Sequence, residues 1–182
     1  SCGLSGSGKT TITQPLLESL GAIRLRSDVV RKALFGLAPE ARSGSGLASG
    51  LYAPDASART YQTLAQLAHT VVSAGHSVIL DATFLKRAQR DAMRRLAADL
   101  GAPFRILYFA APEDMLRARI SRRAAEARDA SEANLAVLEN QIRNIEPPAP
   151  DELVRAVTIS SDQPLETARI VEALRELPPH AS

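Results

Sequence analysis

Gly3-Leu4-Ser5-Gly6-Ser7-Gly8-Lys9-Thr10 is the stretch on which the reading of this chain turns. It fits the pattern G-x-x-x-x-G-K-[ST] at every defined position. Glycines let the backbone curl through conformations that a Cβ forbids, so successive N–H groups turn inward toward phosphate oxygens. Lys9 supplies a compact positive charge for β- and γ-phosphates, and the Thr10 hydroxyl is a hard oxygen suited to Mg²⁺. Thr10 and Thr11 open a helix whose N-terminal N–H groups and dipole strengthen the anion site. Gly3 through Thr11 therefore read as an ATP-binding loop.

The competing reading is a Gly/Ser-rich turn that ends in Lys-Thr by chance. Residue usage weighs against it. Of 22 basic residues only Lys9, Lys32 and Lys86 are lysines; the others are arginines. A chain that otherwise uses arginine has lysine where a point charge, not a planar fork, is wanted.

Length and composition set the frame. A chain of 182 residues with 45% hydrophobic content reads as one globular domain, 1–182, with a substantial core. No apolar run approaches the ~20 residues of a membrane span. The net charge of +2 comes without a polybasic tail or stripe, so neither membrane attachment nor non-specific nucleic-acid binding is indicated. Cys2 is the single cysteine, which excludes an internal disulfide and agrees with a reducing, cytoplasmic setting. In folds built on this loop a buried strand precedes the glycines. Here only Ser1 and Cys2 do. The expectation is a segment lacking its first strand, taken from a longer polypeptide with an upstream domain.

Downstream, strand and helix signals alternate. Residues 10–20 read as a helix stopped by Gly21, and residues 22–26 as a short strand. Asp28 follows at that strand's carboxyl end, either as a helix cap or as a functional carboxylate where α/β sheets place their chemistry. Residues 36–54 read as a Gly- and Ser-rich loop beside a substrate site. Asp55 is expected to cap a helix running to Ala74, which Gly75 ends. His69 and His76 have no partner at metal-ligand spacing and read as ordinary helix and loop residues.

Ser77-Val78-Ile79-Leu80-Asp81 is an apolar run closed by an acid, the form in which a buried strand delivers a carboxylate to a magnesium site. Thr83 leads into an Arg-rich helix over 86–100, from which Arg87 or Arg90 could face the anionic centre. A strand at 104–109 follows, then a helix with Pro112 in its first turn. That helix carries Arg117, Arg119, Arg122, Arg123 and Arg128; Arg119 and Arg123, four apart, share a face. It is either an exposed basic helix paired with Glu126 and Asp129 or a lid bringing arginines to transferring phosphates. Ser131 is expected to cap a helix to Ile145. A proline-rich break at 147–150, a strand at 154–159 and a helix at 164–177 complete the chain. Alternation throughout implies a parallel sheet covered on both faces.

Taken together, the glycine loop, Arg26-Ser27-Asp28-Val29-Val30-Arg31-Lys32, Val78-Ile79-Leu80-Asp81-Ala82-Thr83-Phe84 and the stretch from Arg117 to Gln141 resemble a known group. They resemble the P-loop kinases of the polynucleotide kinase, zeta-toxin and gluconate kinase branch. Within it they most resemble the ATP-binding domain that is joined, in bifunctional proteins, to an aminoglycoside-phosphotransferase-like domain. The resemblance runs from Gly3 to about Leu177. It implies a three-layer α/β P-loop fold with strand order 2-3-1-4-5 and an Arg-rich lid.

It also implies roles. Lys9 and Thr10 bind phosphates and Mg²⁺, and Asp81 is the metal-site acid at the end of the third strand. Asp28 is the general base on the acceptor hydroxyl, and Arg31, three residues on, steadies the acceptor with Thr83 and Arg87 nearby. Arg119, Arg122 or Arg123 supplies the lid arginine, and spacing does not choose among them. The implied activity is transfer of the γ-phosphoryl of MgATP to a hydroxyl of a small molecule or a nucleic-acid end. The alternative is a nucleotide-dependent regulatory ATPase module that controls a fused partner. Against it, Ala82-Thr83-Phe84 stands where a water-positioning Gln or Glu would follow Asp81. The acceptor pocket is expected around loop 36–54, with Phe35, Tyr52, Tyr61 and Phe84 as the nearby aromatics and Tyr61 read as core packing. The adenine pocket is expected around 160–164.

Overall fold

The computed structural model describes residues 1–39, 54–126, 134–161 and 167–176. Four short strands alternate with helices: β1 (Ala22–Arg26), β2 (Ser77–Asp81), β3 (Ile106–Ala110) and β4 (Ala156–Ser160). The helices are α1 (Lys9–Leu20), α2 (Ser27–Leu34), α3 (Pro54–Ser73), α4 (Arg87–Asp99), α5 (Glu113–Glu126), α6 (Leu135–Asn144), α7 (Pro150–Leu153) and α8 (Thr167–Glu176).

β1 pairs with β2 and β3 with β4, both in parallel. Ser1–Gly3 occupy the slot between the two pairs. The Cys2 N–H donates to Leu107 O at 2.8 Å, and the Phe109 N–H donates to Cys2 O at 2.9 Å. On the other side the Gly3 N–H donates to Thr83 O at 3.0 Å and the Ser1 amine donates to Leu80 O at 2.8 Å. Counting this segment as the first strand, the order across the sheet is 2-3-1-4-5, as the resemblance implies.

Alternation along the strands sends side chains to two cores. Ile106 joins Val30, Leu64, Ala82, Phe84 and Met93, so one face is covered by α2, α3 and α4. Leu107 and Phe109 turn the other way, to Ile79, Ile159, Leu16, Ile170 and Val171, under α1 and α8. The architecture is the three-layer α/β P-loop fold. A third cluster, Leu116, Ile120 and Leu138, joins α5 to α6, and Leu4 of the glycine loop packs on it. No helix among the described residues is long and apolar enough to cross a membrane.

Several local expectations change. Asp28 is not a helix cap: α2 begins at Ser27 and Arg26 holds the cap position. Asp55 stands in the first turn of α3, one residue inside its start at Pro54. Pro112 precedes α5, and its carbonyl accepts the Leu116 N–H at 3.1 Å. The cap of α6 is Asn134, whose side chain accepts the Val137 N–H; Ser131 lies outside the described residues. The proline-rich break contains α7, where the Ala149 N–H donates to Glu152 Oε2 at 3.0 Å. The short capping interaction stabilises a single turn that apolar periodicity does not register. Most of loop 36–54 (residues 40–53, with Tyr52), Arg128, Asp129 and residues 162–164 of the expected adenine pocket also lie outside the described residues.

Candidate active site

The site is built where the glycine loop meets the carboxyl ends of β1 and β2. Gly3 has φ 141°, and a Cβ there would stand 2.6 Å from the Phe109 carbonyl oxygen. Gly6 has φ 83°, and its Cβ would meet the Leu116 carbonyl oxygen at 3.1 Å. Both positions require glycine, for conformation and for space. The loop is thereby pressed between β3 and α5. It ends in Gly8, which caps α1 in the left-handed conformation.

Lys9 is buried, and its ammonium donates to Gly3 O and Leu4 O, each at 2.8 Å, and toward Ser7 Oγ at 3.4 Å. The carbonyls of the loop thus hold the lysine inside its curl. Thr10 Oγ1 donates to Asp81 Oδ2 at 2.7 Å. Asp81 is buried at the last position of β2, opposite Arg26 of β1. A hydroxyl and a carboxylate in contact are the hard-oxygen donors that magnesium takes, alongside phosphates and water. The donor set therefore fits Mg²⁺. Among the described residues no group of three or more His, Cys, Asp and Glu side chains gathers as a protein-only metal cage. Thr11 follows, exposed, in the first turn of α1.

Two residues past β1, Asp28 stands in the first turn of α2 and pairs with Arg31 at 3.4 Å. Arg31 is mostly buried, while Asp28 keeps part of its carboxylate open. Thr83 lies on the loop after β2, its carbonyl on the Gly3 N–H and its hydroxyl 3.3 Å from Tyr61 Oη. Phe84 has φ 46°, a strained conformation for a bulky residue. Its N–H donates to Tyr61 Oη at 3.1 Å, and the two rings pack at 5.2 Å. Tyr61 is thus more than core packing: its hydroxyl holds the turn that carries Thr83. Burial pushes the Tyr61 phenol up from 10.0, so it stays a neutral donor and acceptor.

Of the three arginines expected to serve as the lid residue, Arg119 stands at the loop. Its guanidinium donates to Ser161 O at 2.8 Å and to Gly6 O at 3.4 Å. Arg122 is exposed, and Arg123 lies in α5 with its side chain outside the described set. Ser161, just past β4, closes the arrangement by donating its hydroxyl to Ser7 O at 2.5 Å. Arg117 pairs with Glu139 at 2.8 Å and so links α5 to α6.

Arg87 and Arg90 are both engaged by acids. Arg87 grips Asp151 through two nitrogens, at 3.0 and 2.6 Å, and touches Asp91. Arg90 is buried in a two-point pair with Glu152, at 2.6 and 2.9 Å, and also donates to the Phe84 carbonyl at 3.0 Å. Sequence reading gave Gln141 no role, yet it grips Ser5 at the loop tip: the Ser5 N–H donates to Oε1 at 2.9 Å and Nε2 donates to Ser5 Oγ at 3.0 Å. The signal available for it in the sequence was an amide three residues after Leu138 and beside Ile142, on the apolar stripe of the helix.

This arrangement can hold phosphates on a positively charged curl and a divalent cation beside it. A carboxylate–arginine pair stands at the same sheet edge. Residues 1–148 match the family model described as AAA domain. The chain belongs to this AAA domain family. Similar curated proteins include uncharacterized proteins of Mycobacterium tuberculosis and Mycobacterium bovis, each 33% identical over 129 residues. The match takes in 71% of this chain and 26% of each relative, so the chain spans about a quarter of their length.

Solved structures share the AAA domain's fold. A sugar kinase from Janibacter superposes with TM-score 0.69 at 22% identity, covering 97% of this chain and 90% of that one. A gluconokinase from Sinorhizobium meliloti gives 0.61 at 24%, covering 97% and 88%. The APS kinase of Mycobacterium tuberculosis, solved with AMPPNP and APS, gives 0.66 at 19%, covering 96% and 95%. These similarities establish a P-loop kinase fold.

Proposed function

We propose that this domain is an ATP-dependent phosphotransferase that moves the γ-phosphoryl of MgATP to a hydroxyl acceptor. One observation carries the reading: the Asp28–Arg31 pair and the Thr10–Asp81 pair share the carboxyl edge of β1 and β2, beside the glycine loop. In an α/β sheet this edge is where ligands bind.

Gly3 to Thr11 bind the nucleotide's phosphates, with Lys9 leaving the loop carbonyls for β- and γ-oxygens. Thr10 and Asp81 would hold Mg²⁺, which when bound neutralises charge on the phosphates. Asp28 accepts the proton of the incoming hydroxyl, and Arg31 orients both that carboxylate and the acceptor. Thr83 offers a further hydrogen bond on the acceptor side. Arg119 is the lid arginine best supported by geometry, since it already reaches Gly6. It stabilises charge developing on the transferring group. Arg87 is left out of the acceptor site because Asp151 holds it.

The acceptor is a small hydroxylated molecule or a nucleic-acid end. The domain is kin to the polynucleotide kinase, zeta-toxin and gluconate kinase branch and to ATP-binding domains fused to a phosphotransferase-like domain. It acts as one domain of a longer, cytoplasmic protein, a reading supported by the 26% share of the relatives that is matched.

The test is transfer of label from γ-labelled ATP to a panel of 5′-hydroxyl oligonucleotides, hexonates, nucleotide sugars and aminoglycosides. We expect label in one acceptor class, and its loss in Asp28→Asn while ATP binding persists. Normal transfer by Asp28→Asn would remove the base assignment. ATP hydrolysis without label in any acceptor, unchanged in the mutant, would favour a regulatory ATPase module instead.

A further inference from the structure

Every carbonyl of the glycine loop from Gly3 to Ser7, apart from Ser5, accepts a hydrogen bond from a side chain or the loop itself. Gly3 and Leu4 take Lys9, Gly6 takes Arg119 and Ser7 takes the Ser161 hydroxyl. The remaining corner is Ser5, and Gln141 holds it through both its N–H and its hydroxyl. Gln141 is 136 residues away in the chain and is itself buried at 8% exposure. Its helix, α6, is fixed to α5 by Leu116, Ile120 and Leu138, and Leu4 packs against the same cluster. Residues Ser5 and Gly6 are therefore gripped from two helices: Gln141 of α6 on the Ser5 N–H and hydroxyl, Arg119 of α5 on the Gly6 carbonyl.

We propose that Gln141 is a positioning residue of the nucleotide site, a clamp that keeps the tip of the glycine loop curled and seats the Gly6 carbonyl under Arg119. A loop rich in glycine loses much conformational freedom when it closes on phosphate. A clamp that orders it beforehand removes that loss from the binding step. The same clamp takes the Ser5 N–H out of the set of donors offered to phosphate, which leaves the N–H groups of Gly6, Gly8 and the first turn of α1. The inference rests on the reading of the loop as a nucleotide site, but not on the identity of the acceptor.

The test uses AMPPNP and ADP as probes, with Mg²⁺, on the full chain by calorimetry. The proteins are wild type, Gln141→Leu, Ser5→Ala and the double variant, with thermal melts as a folding control. Losing two part-buried hydrogen bonds at the tip should weaken nucleotide binding about tenfold in Gln141→Leu. Ser5→Ala, which keeps the N–H, should lose less. If Gln141 acts through Ser5, the double variant binds as Gln141→Leu does, because coupled residues are not additive. A residue that merely supports α6 would lower the melting temperature and give additive losses. In nucleotide-free protein, the Ser5 amide should exchange slowly in wild type and fast in Gln141→Leu, which reads the clamp without any ligand. Wild-type affinity or unchanged amide exchange in Gln141→Leu, or additive losses, overturns the clamp while leaving the function reading intact. A wild type that binds neither nucleotide overturns both.

Discussion

The Arg90 guanidinium gives its donors to Glu152, the Phe84 carbonyl and the Glu146 carbonyl, and so ties α4, α7 and the strained turn after β2 into one unit. Its side chain is 3% exposed and that of Glu152 6%, so the charge depends on its partner. Removing Glu152 leaves a buried cation: Glu152→Ala should cost about 3–5 kcal/mol in denaturant unfolding. Arg90, foremost by hydrogen bonding, holds the Glu152 carboxyl below its ordinary 4.5. A carboxyl depressed in the folded state contributes stability above its unfolded value and loses it as pH falls toward the folded one. Stability should therefore decline as pH drops below about 4.5. Glu152→Gln should flatten that part of the profile in melts across the acid range. At this scale the motif residues were legible because their chemistry is local: a lysine after a glycine curl, an acid at a strand end. Arg90 was not, since nothing in the spacing of an Arg-rich helix says which arginine turns inward.

At the scale of elements, α5 and α6 pack together and bring Arg119 and Gln141 to the neighbouring loop residues Gly6 and Ser5. Among the described residues the Leu116, Ile120 and Leu138 cluster and the Arg117–Glu139 pair join the two helices, and the Asn134 cap fixes the start of α6. Exposed pairs such as Arg117–Glu139 contribute little. The cap matters more, because α6 is a short helix and the Asn134 side chain accepts the Val137 N–H at 3.0 Å. Asn134→Ala should lower stability by about 1 kcal/mol, measured by urea unfolding, with no change in core packing. Helix boundaries were only roughly legible, as the start of α6 and the extra turn α7 demonstrate. Asn, Ser and Pro are all cap and turn formers, and the choice among neighbours is made by which one finds a free N–H.

For the whole molecule, the sheet is a floor between two cores, and the glycine loop emerges from its middle. Leu16 is fully buried where α1 packs beneath the sheet with Ile79, Leu107 and Phe109. Leu16→Ala should destabilise the protein by about 3–5 kcal/mol in denaturant titration through the cavity it leaves. Nucleotide affinity should fall with it, since α1 is the helix on which the loop is mounted. The sequence by itself determined the loop, the strand–helix alternation and the two acids at strand ends. These follow from chain-local rules of conformation, period and charge. Only the tertiary structure decided that Arg119 stands at the loop, that Arg87 and Arg90 serve the α4–α7 seam, that Tyr61 holds the Thr83 turn and that Gln141 reaches Ser5. Each of those assignments joins residues far apart in the chain, and which side chains meet is fixed by how helices pack on the sheet, not by any spacing along it.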